Sequence, residues 1–296
     1  MQNLNEIRHH IRAIEQTRKI TNAMHLVSTA RMKRVMPHVE YNRLYFSRVQ
    51  AAMQDILSSG DSLEHPYLAE PGGTRTTYIV ISGDKGMAGG YNSNLLNFAW
   101  ERIQSSSEKD RHLIAAGITA SRFFKSKGVI PDAEVYGVSQ DPSLLNARHM
   151  TQDIFKLYDE GHADQVFVIY TAFFGTAKFY PRIRRLLPIQ MSSYPLPLSS
   201  HASPMIYHPS PEEVFRLLVP QYTIGILFGA LVQSYASEHC SRMNAMQSAT
   251  ENADKMLKRL RIQYNMARQA AITQELSELV GAFEALGNKE VFHEQN

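Results

Sequence analysis

From Ala230 to Val280 this chain carries neither glycine nor proline. Elsewhere its 296 residues are punctuated by 16 glycines and 13 prolines, so so long a gap marks an uninterrupted helix. At 1.5 Å per residue the run spans roughly 75 Å, about twice the width of an ordinary globular domain. A helix of that length cannot bury itself within its own small protein. It requires a partner helix, an enclosing assembly, or both.

The run carries a seam. Met243, Met246, Thr250, Ala253, Leu257, Leu260, Tyr264, Ala267 and Ala271 alternate steps of three and four, the spacing of a coiled coil. Ala253, Ala267 and Ala271 are small enough for a neighbouring helix to approach closely. The first 36 residues also lack breakers, and Ile7, Ile11, Ile14, Thr21, Met24 and Met32 form a looser stripe there. The two ends are therefore expected to pair, antiparallel. Asn5 is a candidate cap, and Pro37 is expected to kink or interrupt the first helix. Ser210-Pro211-Glu212-Glu213 opens the last helix, with a cap, a proline at the first position and acids on the dipole. Pro220 and Gly225 are candidate bends in it.

Between the ends the period changes. Thr76–Ser82, His112–Ala116, Ala133–Val138 and Gln165–Phe173 read as strands, with Phe179–Gln190 returning as a hairpin partner. Helices are expected over 92–106, 120–127 and 142–160, the last capped by Asp141. Alternating strands and helices imply a mostly parallel sheet covered on both faces. The fold class is thus α/β: a long antiparallel coiled coil of N- and C-terminal helices with an inserted Rossmann-like α/β domain. The expected divisions are 1–59, 74–195 and 210–286.

Charge is uneven. Residues 1–50 hold nine basic and three acidic side chains, +6 of a total of +3, so the remainder sums to −3. A second basic cluster, Lys255, Lys258, Arg259, Arg261 and Arg268, has no acid within it. Such clusters are either solvated helix faces or contacts for an acidic partner. Nothing resembling a nucleic-acid-binding motif accompanies them, so acidic protein loops are the better expectation. Cys240 is the only cysteine, which rules out an internal disulfide. The N-terminus lacks the pattern of a signal peptide, and apolar clusters such as 223–232 fall short of the ~20 residues of a membrane helix. These features fit an intracellular protein.

No catalytic or metal-ligand constellation appears, and no cofactor is expected. One loop needs weighing. Ser82-Gly83-Asp84-Lys85-Gly86-Met87-Ala88-Gly89-Gly90-Tyr91-Asn92 lies between a strand and a helix, where α/β proteins hold phosphates. It lacks both phosphate-loop spacings, so a tight turn is favoured over a nucleotide site. A free-standing nucleotide-binding module is the rival to an assembly subunit, and an unrelated scaffold coil is a third alternative.

Four segments resemble a known family. Thr17-Arg18-Lys19-Ile20-Thr21-Asn22-Ala23-Met24 is similar to the T-x-K-I-T-[KN]-A-M signature of F-type ATP synthase gamma subunits. Ala236–Met243 matches the family's A-S-E-x-x-x-R-M, and Ala249–Ala253 its A-[TS]-[DE]-N-[AG]. Tyr264–Leu276 follows its Y-N-x-x-R-Q-[AS]-x-I-T-x-E-[LI]. The chain departs from the pattern at Gly83, an extra residue, at Ala88, which replaces a cysteine, and at Pro37.

The resemblance implies a non-catalytic rotor shaft that couples ion flow to ATP synthesis or hydrolysis in the beta subunits. It implies alpha, beta, epsilon and c-ring partners, no nucleic acid, and a peripheral position on the cytoplasmic face of the cell membrane through the complex. Carried over, Arg268, Gln269 and Thr273 would meet the beta catch region. Met24 would meet the ring, with Lys19 and Thr21 beside it. Arg31, Lys33, Arg34, Lys255 and Arg259 would make charge contacts. Tyr207 would belong to the foot that faces the c ring.

Overall fold

A computed structural model describes residues 4–58, 65–69, 72–105, 110–137, 140–176, 178–190 and 207–293, with side chains to residue 282. The elements run α1 (Leu4–Ser58), β1 (Thr76–Ile81), α2 (Tyr91–Ser105), β2 (Arg111–Ala116), α3 (Ile118–Ser126), β3 (Ala133–Val135), α4 (Leu144–Asp159), β4 (Gln165–Gly175), β5 (Lys178–Leu187) and α5 (Pro211–His293). The chain divides into two compact units. One joins the start of α1 to α5 from Met246 onward, and the other comprises Val27–Ala245.

In the larger unit the strand order is β3-β2-β1-β4-β5. β1 pairs parallel with both β2 and β4, β2 pairs parallel with β3, and β5 returns antiparallel on β4. All six residues of β1 are buried, which is why its sequence is nearly continuous in apolar and β-branched residues. Alternation then sorts the side chains. Tyr78, Val80, Leu113, Ala115 and Ile169 meet α2 and α3 on one face. Ile79, Ile81, Val166, Val168 and Tyr170 meet α1, α4 and α5 on the other.

Two glycines let α1 cross α5 closely in this unit. A Cβ on Gly225 would stand 3.2 Å from the Phe46 ring, and one on Gly229 would stand 2.5 Å from Asn42 Oδ1. Asn42 uses the approach to donate to the Gly225 carbonyl at 3.0 Å. Gly225 therefore serves packing, and α5 is helical through both it and Pro220.

Several sequence expectations need correction. α1 continues across Pro37. Pro37 is on the exposed side of the helix, and so is Lys33 one turn back, whose carbonyl loses its helical donor. Asn5 lies inside the first turn, not ahead of it. β3 stops at Val135. The cap of α4 is Ser143, in extended backbone, whose Oγ accepts from the Asn146 amide, so Pro142 precedes the helix. α5 also contains an 18-residue window apolar enough to cross a membrane, with 61% of it buried against the protein. That window is the core helix beneath the sheet. The start of α5 is as expected: Ser210 Oγ accepts from the Glu213 amide at 3.2 Å.

Candidate functional site

The smaller unit is a two-helix seam. Every residue of the C-terminal stripe from Met246 to Ala271 is buried or half-buried, and so are Ile7, Ile11, Ile14 and Thr21 facing it. Four cross-links fix an antiparallel register. Arg8 donates to the Tyr264 hydroxyl at 2.9 Å, and Arg261 donates to Glu15 at 3.1 Å. Arg18 pairs with Asp254 at 2.5 Å, and the Thr21 and Thr250 hydroxyls share a hydrogen bond of 2.8 Å. The ion pairs are solvated, so each contributes at most about 1 kcal/mol. Their work is to set register, while the apolar seam supplies the stability.

The expected contact residues fall on different sides of these helices. Lys19, Lys255, Arg259, Arg268, Gln269 and Thr273 are exposed, with Thr273 Oγ1 bonded back to the Gln269 carbonyl at 2.9 Å. Lys19 lines a polar cleft of about 520 Å³ with Arg18, Lys258 and Arg261. Met24 is half-buried. Thr21 turns into the seam instead of outward. Around the exposed polar groups the same surface carries Ile20, Ile262, Met266, Ile272 and Leu276, all exposed. Nothing in the described chain covers it.

In the larger unit the glycine loop meets α5. The strand order reverses at β1, and the crevice at the ends of β1 and β4 is where doubly wound sheets bind nucleotides. Here α5 fills it. Arg242 donates to the carbonyls of Lys85 and Gly86 at 3.2–3.3 Å, and Ser241 Oγ donates to Ala88 at 2.6 Å. On the β4 side, Ser237 Oγ donates to the Thr171 carbonyl at 3.4 Å and Cys240 Sγ to that of Thr176 at 3.1 Å. The loop thus presents carbonyls to a guanidinium, the opposite of a phosphate cradle. This geometry speaks against the nucleotide-module rival.

Arg242 is itself clamped. Its guanidinium meets Glu238 one helical turn back at 2.5 Å, and both side chains are only 7% exposed. Burial pushes the Glu238 carboxyl above the usual range, against the pull of Arg242. Gly83 is a glycine because a Cβ there would stand 2.8 Å from Glu238 Oε2. Gly89, at φ +54°, would press a Cβ to 3.3 Å from Ser241 Oγ. Arg31 is exposed and lines the same cluster with Asp84, Lys85 and Gln140; Lys33 and Arg34 are exposed as well. The sequence quotes Glu238 and Arg242 in a motif without revealing this clamp. One signal was available: they are the only formal charges between Arg216 and Glu251.

His239 gives the clamp a pH dependence. Its Nδ1 lies 3.3 Å from Arg242 Nη1 and accepts from it, so the ring is neutral. Burial, then the charges of Arg242, Arg31 and Lys85, push its pKa down to about 3. Below the ordinary value of 6.5 the unfolded chain takes up a proton that the folded chain refuses. Stability is therefore full above pH 6.5 and falls by up to about 1.4 kcal/mol per pH unit toward pH 3. Glu238 opposes this only as pH falls through its own raised value. Urea unfolding followed by Trp100, the only tryptophan, is expected to lose about 1 kcal/mol between pH 7.5 and 5.5. His239→Gln is expected to flatten that change.

Tyr207 is half-buried against the sheet core, and its shielded hydroxyl has no partner among the described residues. His208 and Pro209 beside it are the exposed members of that segment. The residues just before it, 191–206, lie outside the described chain.

The larger unit is an α/β domain and the smaller a two-helix seam with an uncovered surface, and comparison with known proteins assigns the chain to a family. The sequence model of the family described as ATP synthase matches residues 3–286. The ATP synthase gamma chain of Ruminiclostridium cellulolyticum is 37% identical over 291 residues, covering 96% of this chain and 99% of the relative. That of Acetivibrio thermocellus is 39% identical over 297 residues, covering 97% and 100%. The chain belongs to the ATP synthase gamma chain family. Its fold is shared with the rotor of the Euglena gracilis mitochondrial ATP synthase, at a TM-score of 0.64 and 14% identity, covering 91% of this chain and 98% of that one. It is shared too with the central stalk of the Tetrahymena thermophila mitochondrial enzyme, at 0.58 and 23%, covering 78% and 99%.

Proposed function

We propose that this chain is the central rotor shaft of an F-type ATP synthase, non-catalytic itself. It couples ion flow through the membrane to ATP synthesis or hydrolysis in the beta subunits by turning. The observation that carries this is the smaller unit: a two-helix seam whose outer surface combines basic, polar and large apolar side chains that its own chain leaves uncovered. A ring of alpha and beta subunits covers that surface. Arg268, Gln269 and Thr273 are the contacts to the beta catch region. Met24 and Lys19 meet the ring nearby, and Lys33, Arg34, Lys255 and Arg259 supply charge. Arg31, exposed beside the clamp, supplies charge too, and Thr21 serves the chain's own seam.

In this reading residues 1–59 and 210–286 form the shaft and 74–195 the α/β domain. The larger unit meets epsilon and the c ring, with the Tyr207 segment as the foot. The protein lies at the cytoplasmic face of the cell membrane through the complex. Co-purification with an alpha/beta ring tests the assignment, and a ring that assembles and hydrolyses ATP identically without this chain would refute it. Arg268→Ala with Gln269→Ala is expected to lower coupled ATP hydrolysis several-fold in reconstituted complexes. Full turnover in that variant would remove these residues from the contact.

A further inference from the structure

Between α1, the β4–β5 hairpin and α5, wholly within the larger unit, lies a slot of about 430 Å³. Gly225 and Gly229 bring α5 close to α1 and supply no side chain to fill its floor. The walls are mostly aromatic: Phe46 from α1, and Tyr170, Phe173 and Phe174 from β4. Phe174 is 50% exposed and extends its wall by stacking on Tyr180, with ring centroids 4.9 Å apart and planes 12° apart.

These rings also place the cations. β5 is the edge strand, and its alternation turns Tyr180, Arg182 and Arg184 to the same face as Tyr170. Arg184 stands 4.9 Å over the Phe46 ring, and Arg182 stands 5.0 Å over that of Phe174. A guanidinium stacked by its face keeps five N–H donors in one plane, the geometry that takes a carboxylate through two parallel bonds. The slot's other polar groups are committed. Asn42 donates to the Gly225 carbonyl at 3.0 Å, Gln233 Oε1 accepts from the Phe173 amide at 3.4 Å, and Glu40 is held by Arg43 at 2.9 Å. Three arginines against one glutamate leave the site a net charge of +2.

We propose that this slot binds a small, flat aromatic carboxylate, with its rings against the aromatic walls and its carboxylate on Arg184. The volume lies within the roughly 300–1,000 Å³ of small-molecule sites, and an apolar lining with few convergent polar groups is their usual make-up. A neutral arene forgoes the charge complementarity, and a compact anion such as phosphate forgoes the stacking surface. The inference goes beyond the rotor reading and holds or fails without it, because every residue of the slot belongs to the larger unit of this chain.

The test uses the assembled complex and 4-benzoylbenzoate, an aromatic carboxylate that inserts into nearby C–H bonds under light. Labelling is expected in the tryptic peptide 35–43, which holds the wall residues Met36 and Val39 and is identified by mass spectrometry. Excess 2-naphthoate is expected to suppress that labelling at least tenfold. Its amide, of the same shape without the charge, is expected to need at least ten times the concentration for the same effect. Arg184→Gln is expected to lower labelling at least tenfold, and Val39→Trp, which fills the slot and leaves the guanidinium in place, to do the same. The carboxylate-to-amide comparison needs no variant, so it decides the point even where a substitution unfolds the chain. Equal competition by the amide, labelling confined to peptides away from the slot, or no labelling of this chain would overturn the proposal.

Discussion

Arg242→Ala is expected to destabilise the larger unit by about 3–5 kcal/mol, because it leaves Glu238 buried and unpaired. The loss has three parts that act together. The carboxylate loses its counter-charge, His239 loses the donor to Nδ1, and the carbonyls of Lys85 and Gly86 lose theirs. Urea unfolding followed by Trp100 is the appropriate reading, since α2 packs on the sheet that the clamp closes. Glu238→Leu combined with Arg242→Met is expected to recover much of the loss, because a paired apolar replacement leaves no charge stranded. If Arg242→Ala were as mild as a surface change, within about 0.5 kcal/mol, the clamp would carry no structural weight. Such a result would also reopen the crevice at β1 and β4 as a candidate ligand site.

The second large effect lies in the seam. Leu257 is 6% exposed although it belongs to a unit of only two helices. Leu257→Ala removes its seam contacts between Ala253 and Leu260, at a cost of roughly 2–5 kcal/mol. The low end is favoured because a two-helix seam relaxes more readily than a closed core. Helical circular dichroism is expected to show an earlier transition, while the Trp100 transition stays in place. A shift of both together would mean that the two units unfold as one.

Much of this architecture is legible in the residues, for identifiable reasons. The C-terminal seam is readable because its positions keep a strict three-four alternation, and the structure buries or half-buries all of them. The N-terminal stripe is harder to read. Ser28, in the larger unit and 1% exposed, holds a buried position of α1 that hydrophobicity does not mark. The strands are readable because both faces are buried, which makes the apolar runs nearly continuous. The cap of α4 is misjudged because Asp141 and Ser143 flank the same proline, and only backbone geometry decides between them. Pro37 does not interrupt α1, because it and Lys33 one turn back lie on the exposed side of the helix, where water can replace the lost donor.

The candidate site divides the same way. Exposure of Arg268 and Gln269 follows from their place off the heptad seam. Burial of Thr21 follows from its place on it, although the motif containing it suggested an outward role. The clamp joins Arg242 to Lys85 and Gly86 across more than half the chain, so no local pattern announces it. Only the isolation of two charges in a long apolar stretch hints that they need one another.

Direct observation of turning is the decisive measurement. Cys240 is fully buried, so a cysteine placed at Ile130, 79% exposed, takes a bead or fluorophore selectively. With the alpha/beta ring fixed to a surface, ATP is expected to drive continuous rotation of that label in one direction, at a rate that follows hydrolysis. Sustained hydrolysis with this chain bound and its label stationary would contradict the account.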